Sequence, residues 1–131
     1  MYSNVDSIDR LSDFINEITK SYDKIRSFES EQCTQEQLEE ELRHIRDIAG
    51  DYHTIVSVMV KESPTSLPIV RDFINSMKPQ FTNTINMQLV VLSMQHNSDE
   101  KWIKTHVAMA LGSINNNNYV DSLKGCKEFL R

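Results

Sequence analysis

Four histidines, two cysteines and 19 carboxylates are the residues of this chain that could do chemistry, and their spacing decides whether they can do it together. Glu41-x-x-His44 has the interval that sets a carboxylate and an imidazole on one helical face, as in the dinuclear carboxylate sites of helical bundles. Asp47 follows three residues later. Such a site needs a second pair of the same kind and further glutamates, and no acid stands three residues before His53, His96 or His106. The spacing therefore favours a solvated face on which Glu40 or Asp47 neighbours His44. A metal protein or helical-bundle enzyme centred on Glu41 and His44 is the alternative. His106 falls with Trp102 and Ala110 on a stripe expected to be buried, which makes it a core histidine first and a general base second. Cys33 precedes a helix start, where the positive helix end could lower its thiol pKa, but it reads first as a bystander in the turn. Neither Cys33 nor Cys126 has a histidine close in sequence, and the chain lacks a glycine-rich phosphate loop and a G-x-S-x-G elbow. The pattern argues against an enzyme, and no cofactor or metal is expected.

Apolar contact is the other chemistry on offer. From Pro79 to Ser98 there is not one Asp, Glu, Lys or Arg. A helix over 79–95 would carry Phe81, Ile85, Leu89 and Leu92 at spacings of four, four and three, the rhythm of one buried stripe. Met87, Val90, Val91 and Met94 fall on adjoining arcs that the same stripe cannot cover. They are expected to be more accessible and to form a binding face, for which adaptable methionine side chains are suited. Phe14 and Phe28, beside the apolar seam of the first helix, are the remaining candidates for partner contact.

The elements that position these residues are legible from apolar stagger. Leu38, Leu42, Ile45, Ala49, Tyr52, Val56 and Met59 recur at alternating intervals of four and three, the seam of a long α-helix. Ile8, Leu11, Ile15, Ile18, Tyr22 and Ile25 carry a matching seam in the segment before it. Helices over about 4–29 and 35–62 follow, each about 37 Å long at 1.5 Å per residue. Thr34-x-x-Gln37 is a capping box for the second, and Ser63-Pro64 ends it. If the turn centres near residues 31–32, Ile25 meets Leu38, Tyr22 meets Leu42, Ile18 meets Ile45, Ile15 meets Ala49, Leu11 meets Tyr52 and Ile8 meets Val56. Ile48 and Ile55 widen the second stripe only toward its C-terminal end, so later helices are expected to pack at the open end of the hairpin.

Residues 63–68 read as a linker. A short helix with Ile69, Val70, Phe73, Ile74 and Met77 precedes the uncharged one. Asn97 or Ser98 is expected to cap a further helix carrying Trp102, Ile103, His106, Val107, Ala110, Leu111 and Ile114. Asn115–Asn118 should turn into a last helix with Tyr119, Leu123, Cys126 and Leu130. The expected fold is all-α, one domain over 1–131, with a long antiparallel helical hairpin (4–62) and three to four shorter helices (69–131) in a bundle.

Charge narrows the partners. Residues 1–63 hold 14 Asp/Glu against 7 Lys/Arg, and residues 64–131 hold 5 against 7, within a net charge of −5. An acidic hairpin lacks the basic footprint that nucleic acid or an anionic membrane surface demands. Widely separated cysteines and an acid-bearing N-terminal stretch point to a reducing, cytoplasmic (or nuclear) setting. The function expected is a small non-enzymatic protein–protein interaction module, such as an adaptor, chaperone, inhibitor or subunit of a larger helical assembly. It would act through apolar helix faces on another, helical protein. A homodimer or obligate hetero-complex is expected if the hairpin is left partly uncovered. An acidic inhibitor of nucleic-acid-binding proteins is the further alternative, reading the Glu36–Glu41 run as a docking strip rather than a solvated face.

Overall fold

The two seams meet. The computed structural model describes residues 4–62, 68–77, 82–94, 99–116 and 119–129. Among the described residues the regular structure is entirely helical: α1 (Asn4–Ser27), α2 (Gln35–Glu62), α3 (Pro68–Met77), α4 (Asn83–Met94), α5 (Glu100–Asn116) and α6 (Tyr119–Phe129). Leu11, Ile15, Ile18 and Ile25 of α1 are buried, as are Leu38, Leu42, Ile45, Ala49, Tyr52, Val56 and Met59 of α2. Ile8 and Tyr22 pack half-buried at the margin of the same core. Glu17 of α1 and His44 of α2 lie 3.3 Å apart across the hairpin, within two residues of the register that pairs Ile18 with Ile45.

The turn between α1 and α2 is held by reciprocal backbone bonds. The Thr34 hydroxyl accepts from the Gln37 N–H at 3.1 Å, and the Gln37 side-chain oxygen accepts from the Thr34 N–H at 2.9 Å. Two otherwise orphaned donors at the start of α2 are thereby satisfied. At the other side of the turn α1 stops at Ser27, two residues earlier than its composition predicts, and the Phe28 N–H reaches back only three residues, to Ile25. Phe28 follows the buried Ser21 by seven residues, on the same flank of α1. It is 4% exposed and belongs to the core, so it is withdrawn from the candidate contact surface.

The later helices do not gather at the open end alone. Lys104 of α5 donates to the carbonyls of Phe28 and Glu31, placing a cation at the negative C-terminal end of α1. Gln35, at the start of α2, donates to the carbonyl of Leu92 in α4. Both contacts lie at the closed end. Toward the open end, the Tyr52 hydroxyl donates to the Leu123 carbonyl of α6 at 2.7 Å, and Lys127 donates to Ser12 at 3.2 Å. α1 packs against α5 and α6, while α2 packs against α3, α4 and α5. The short helices thus sheathe the hairpin from end to end. Phe28, Leu38 and Leu42 explain why: they are large apolar groups near the turn that two helices alone cannot bury.

Boundaries shift slightly where backbone chemistry overrides composition. Residues 63–67 of the expected linker lie outside the described residues, and Pro68 opens α3 rather than closing the linker. Proline suits that first helical position because its missing N–H has no partner to lose. Val70 is buried and Phe73 packs against the core, whereas the side chains of Ile69, Ile74 and Met77 lie outside the described set. So do Asn97 and Ser98. The cap of α5 is instead Asp99, whose carboxylate accepts from the Lys101 N–H at 3.0 Å and whose carbonyl accepts from Ile103.

Two substitutions probe this packing. Leu89→Ala, which empties a core position of α4, should destabilise by about 2–5 kcal/mol. Tyr52→Phe, which removes only the bond to α6, should cost about 1 kcal/mol. Urea unfolding of the two variants should give this order. Equal, near-zero losses would mean that the sheath does not depend on these contacts.

Candidate interaction surface

α4 carries two apolar stripes. Ile85, Leu89 and Leu92, at intervals of four and three, are buried against the bundle. Met87, Val91 and Met94, also at intervals of four and three, face outward at 63%, 44% and 80% exposure, with Val90 beside them at 49%. Each stripe repeats at the spacing that packs one helix against another, and the second is bare among the described residues. Phe81 lies outside the described residues, so its expected core role has no counterpart here.

α5 supplies the facing wall. Ile103, Val107, Ala110, Leu111 and Ile114 are buried, whereas Trp102 and His106, assigned to the same stripe by sequence, are half-buried on its edge. Met109 is 51% exposed. Trp102, His106, Met109 and Ser113 recur at four, three and four, a second stripe hidden in the sequence between the core positions. Thr84, Met87, Gln88 and Val91 of α4 and His106, Met109, Gly112 and Ser113 of α5 line an open groove of about 460 Å³.

A polar clasp fixes the spacing of its walls. The Gln88 amide nitrogen donates to the Ser113 hydroxyl at 2.6 Å and to the Met109 carbonyl at 3.2 Å, while Ser113 donates to Met109 at 3.0 Å. Turning the amide over would set its oxygen against a carbonyl, so the network selects one orientation. The groove is therefore apolar at its rim, with the Gln88 amide nitrogen hydrogen-bonded at its floor and the amide oxygen buried without a hydrogen-bond partner among the described residues, and α4 brings no charge to it. Such an arrangement suits an apolar helix laid between two others.

The remaining sequence candidates sort differently. Phe14 is half-buried against the core, and the Arg10 guanidinium sits 5.7 Å from its ring centroid, so it is covered rather than presented. The carboxylate nearest His44 is Glu17 of α1, in place of the expected Glu40 or Asp47; Asp47 pairs with Arg46 at 3.1 Å. Glu41 and His44 border a shallow polar groove with Glu17, Lys20 and Lys24. Among the described residues no three His, Cys, Asp or Glu side chains converge as metal ligands do. Glu39 and Arg43 lie 3.6 Å apart, the intrahelical pair of a solvated face. Burial pushes the Cys33 thiol up, with Lys104 opposing, which sides with a bystander in the turn over activation by the helix end. Burial likewise raises the Cys126 thiol, against the Tyr52 hydroxyl. No helix among the described residues is long and apolar enough to cross a membrane.

No protein-family model, no curated protein and no solved structure matches the chain.

His106 is the titratable group of that groove. Its ring lies 4.2 Å from the Trp102 ring, tilted by 48°, and burial holds its pKa below the ordinary 6.5. The unfolded chain then takes up this proton first as pH falls. Stability from His106 is complete above about 6.5, declines as pH drops toward the lowered folded value, and levels off beneath it. His106→Gln removes this pH dependence, so the native-minus-variant difference in urea midpoint should fall between pH 7 and pH 5. Parallel pH profiles for the two proteins would contradict the assignment.

Proposed function

We propose that this protein is a small interaction module that binds another helix in the groove between α4 and α5. The observation that carries this reading is the outward stripe of Met87, Val91 and Met94 on α4. An apolar seam at 4-3 spacing, left in water, costs solubility and gains the fold nothing. It makes physical sense as half of a helix–helix contact. Met87 and Met109 in the groove, and Met94 farther along the exposed stripe, let the surface adapt to an incoming side chain. The absence of Asp, Glu, Lys and Arg along α4 means that affinity comes from apolar burial, with specificity from shape and the Gln88–Ser113 clasp. Adaptor, chaperone, inhibitor and assembly subunit are all roles such a surface can serve.

Changing Met87 and Met94 together to Lys should abolish partner capture from a host lysate. Because both are exposed, the change should leave stability within about 0.5 kcal/mol. Paired affinity capture with the native chain and the variant, alongside circular dichroism of each, reads both effects. A folded variant that captures the same proteins as the native chain would move the binding surface elsewhere, most directly onto the hairpin.

A further inference from the structure

We infer that the α4–α5 groove is filled by the same groove of a second copy, so that two α4–α5 pairs close into a four-helix bundle about a two-fold axis. This deepens the interaction reading, on which it rests, by naming the partner. Three observations point to the chain itself rather than to a foreign helix.

The first is relief. An isologous contact needs a surface that carries both the knob and the hole that receives it. Met94, the most exposed of the large apolar side chains, is the knob. Gly112 marks the hole, since nothing lies within 4 Å of where a Cβ would stand on it. Leu92 of α4 and Lys104 of α5 both meet the α1–α2 turn, and Gln88 bonds to Met109 and Ser113 farther along, so α4 and α5 run antiparallel with Gly112 and Ser113 toward the Thr84 end of α4. Crossing α4 antiparallel to its own copy carries Met94 from one end over Gly112 at the other. Val90 and Val91 then lie nearest the axis.

Electrostatics supply the second. An acidic chain of net charge −5 repels its copy over most approaches, most strongly where the hairpin concentrates 14 acids against 7 bases. From Asn83 to Met94 there is no ionisable side chain at all, so two α4 helices can meet without like charges opposed. Burial of His106, the titratable group in the groove, lowers its pKa and so favours the uncharged ring. A foreign helix would find no charge along α4 to select it by.

The third is architecture. Two antiparallel helices whose outer stripes both run at intervals of four and three are half of a four-helix bundle, and the matching half is the same sequence.

Sedimentation velocity of the intact chain from low micromolar to millimolar concentration should show a monomer–dimer equilibrium. Because each substitution acts twice in an isologous contact, Met94→Lys, if worth about 30-fold on one side, should weaken the dimer about 1,000-fold. Helicity by circular dichroism should be retained. In a Cys33→Ser background, Val91→Cys should form a disulfide with its own copy under mild oxidation, an independent check should Met94→Lys fail to fold. A chain that stays monomeric throughout overturns the proposal, as does a dimer that survives Met94→Lys or gives no Val91→Cys crosslink. If the monomeric chain still loses a captured host protein on changing Met87 and Met94 to Lys, the interaction reading stands and the second copy does not.

Discussion

Two apolar seams of matched stagger, one on α1 and one on α2, have to bury each other before any later helix has a place to dock. Each seam residue removes most of its apolar surface from water, at about 1.5–3 kcal/mol for a Leu or Ile. The seams can do this in one register only, because a slip by one residue would rotate carboxylates such as Glu17 and Glu41 toward the core. The capping box at Thr34 and Gln37 fixes where α2 starts, and the Glu17–His44 pair lies within two residues of where the register places it. Once the hairpin is set, it presents edges rather than faces. α5 and α6 cover one edge along α1, while α3, α4 and α5 cover the other along α2.

Polar anchors decide how that cover is laid. Gln35, Tyr52, Lys104 and Lys127 each reach from one helix to a backbone or hydroxyl oxygen of another, at both ends of the hairpin. Buried apolar contacts are non-directional, so these bonds give the later helices their axial positions. They also determine what is left over. With its first stripe seated on α2 and Gln88 clasped to α5, α4 must turn its second stripe to solvent. The groove is a consequence of the fold's anchoring, and its uncharged, apolar composition is what the proposed binding role rests on.

The fold was legible because long seams average out local noise. Two helices of more than twenty residues repeat their pattern often enough to fix phase, pairing and turn. The two stripes of α4 were legible for a related reason: eight large apolar residues exceed what one face can bury. The second wall of the groove was not. Trp102 and His106 lie one position from the buried Ile103 and Val107, and a difference of one position is within the tolerance of any periodicity argument. Only the partner helix decides which of two adjacent stripes is core, and that depends on the Gln88 contact, far away in sequence. Phe28 was misplaced because the flank of α1 that it shares with Ser21 is covered by the later helices, which the hairpin seam alone does not reveal. Glu17 was missed as the partner of His44 because pairing had been sought within one helix.

Methionine oxidation by dilute peroxide, followed residue by residue with mass spectrometry, tests the central claim most directly, since the rate reports access of solvent to each sulfur. At the lowest concentration of intact native chain, Met87, Met94 and Met109 should oxidise quickly while Met59, buried in the hairpin seam, resists. Met87 and Met94 should slow as concentration rises and the groove fills, with Met59 unchanged. Protection of Met87 and Met94 equal to that of Met59 in the dilute chain would contradict the account, because both stripes of α4 would then be core.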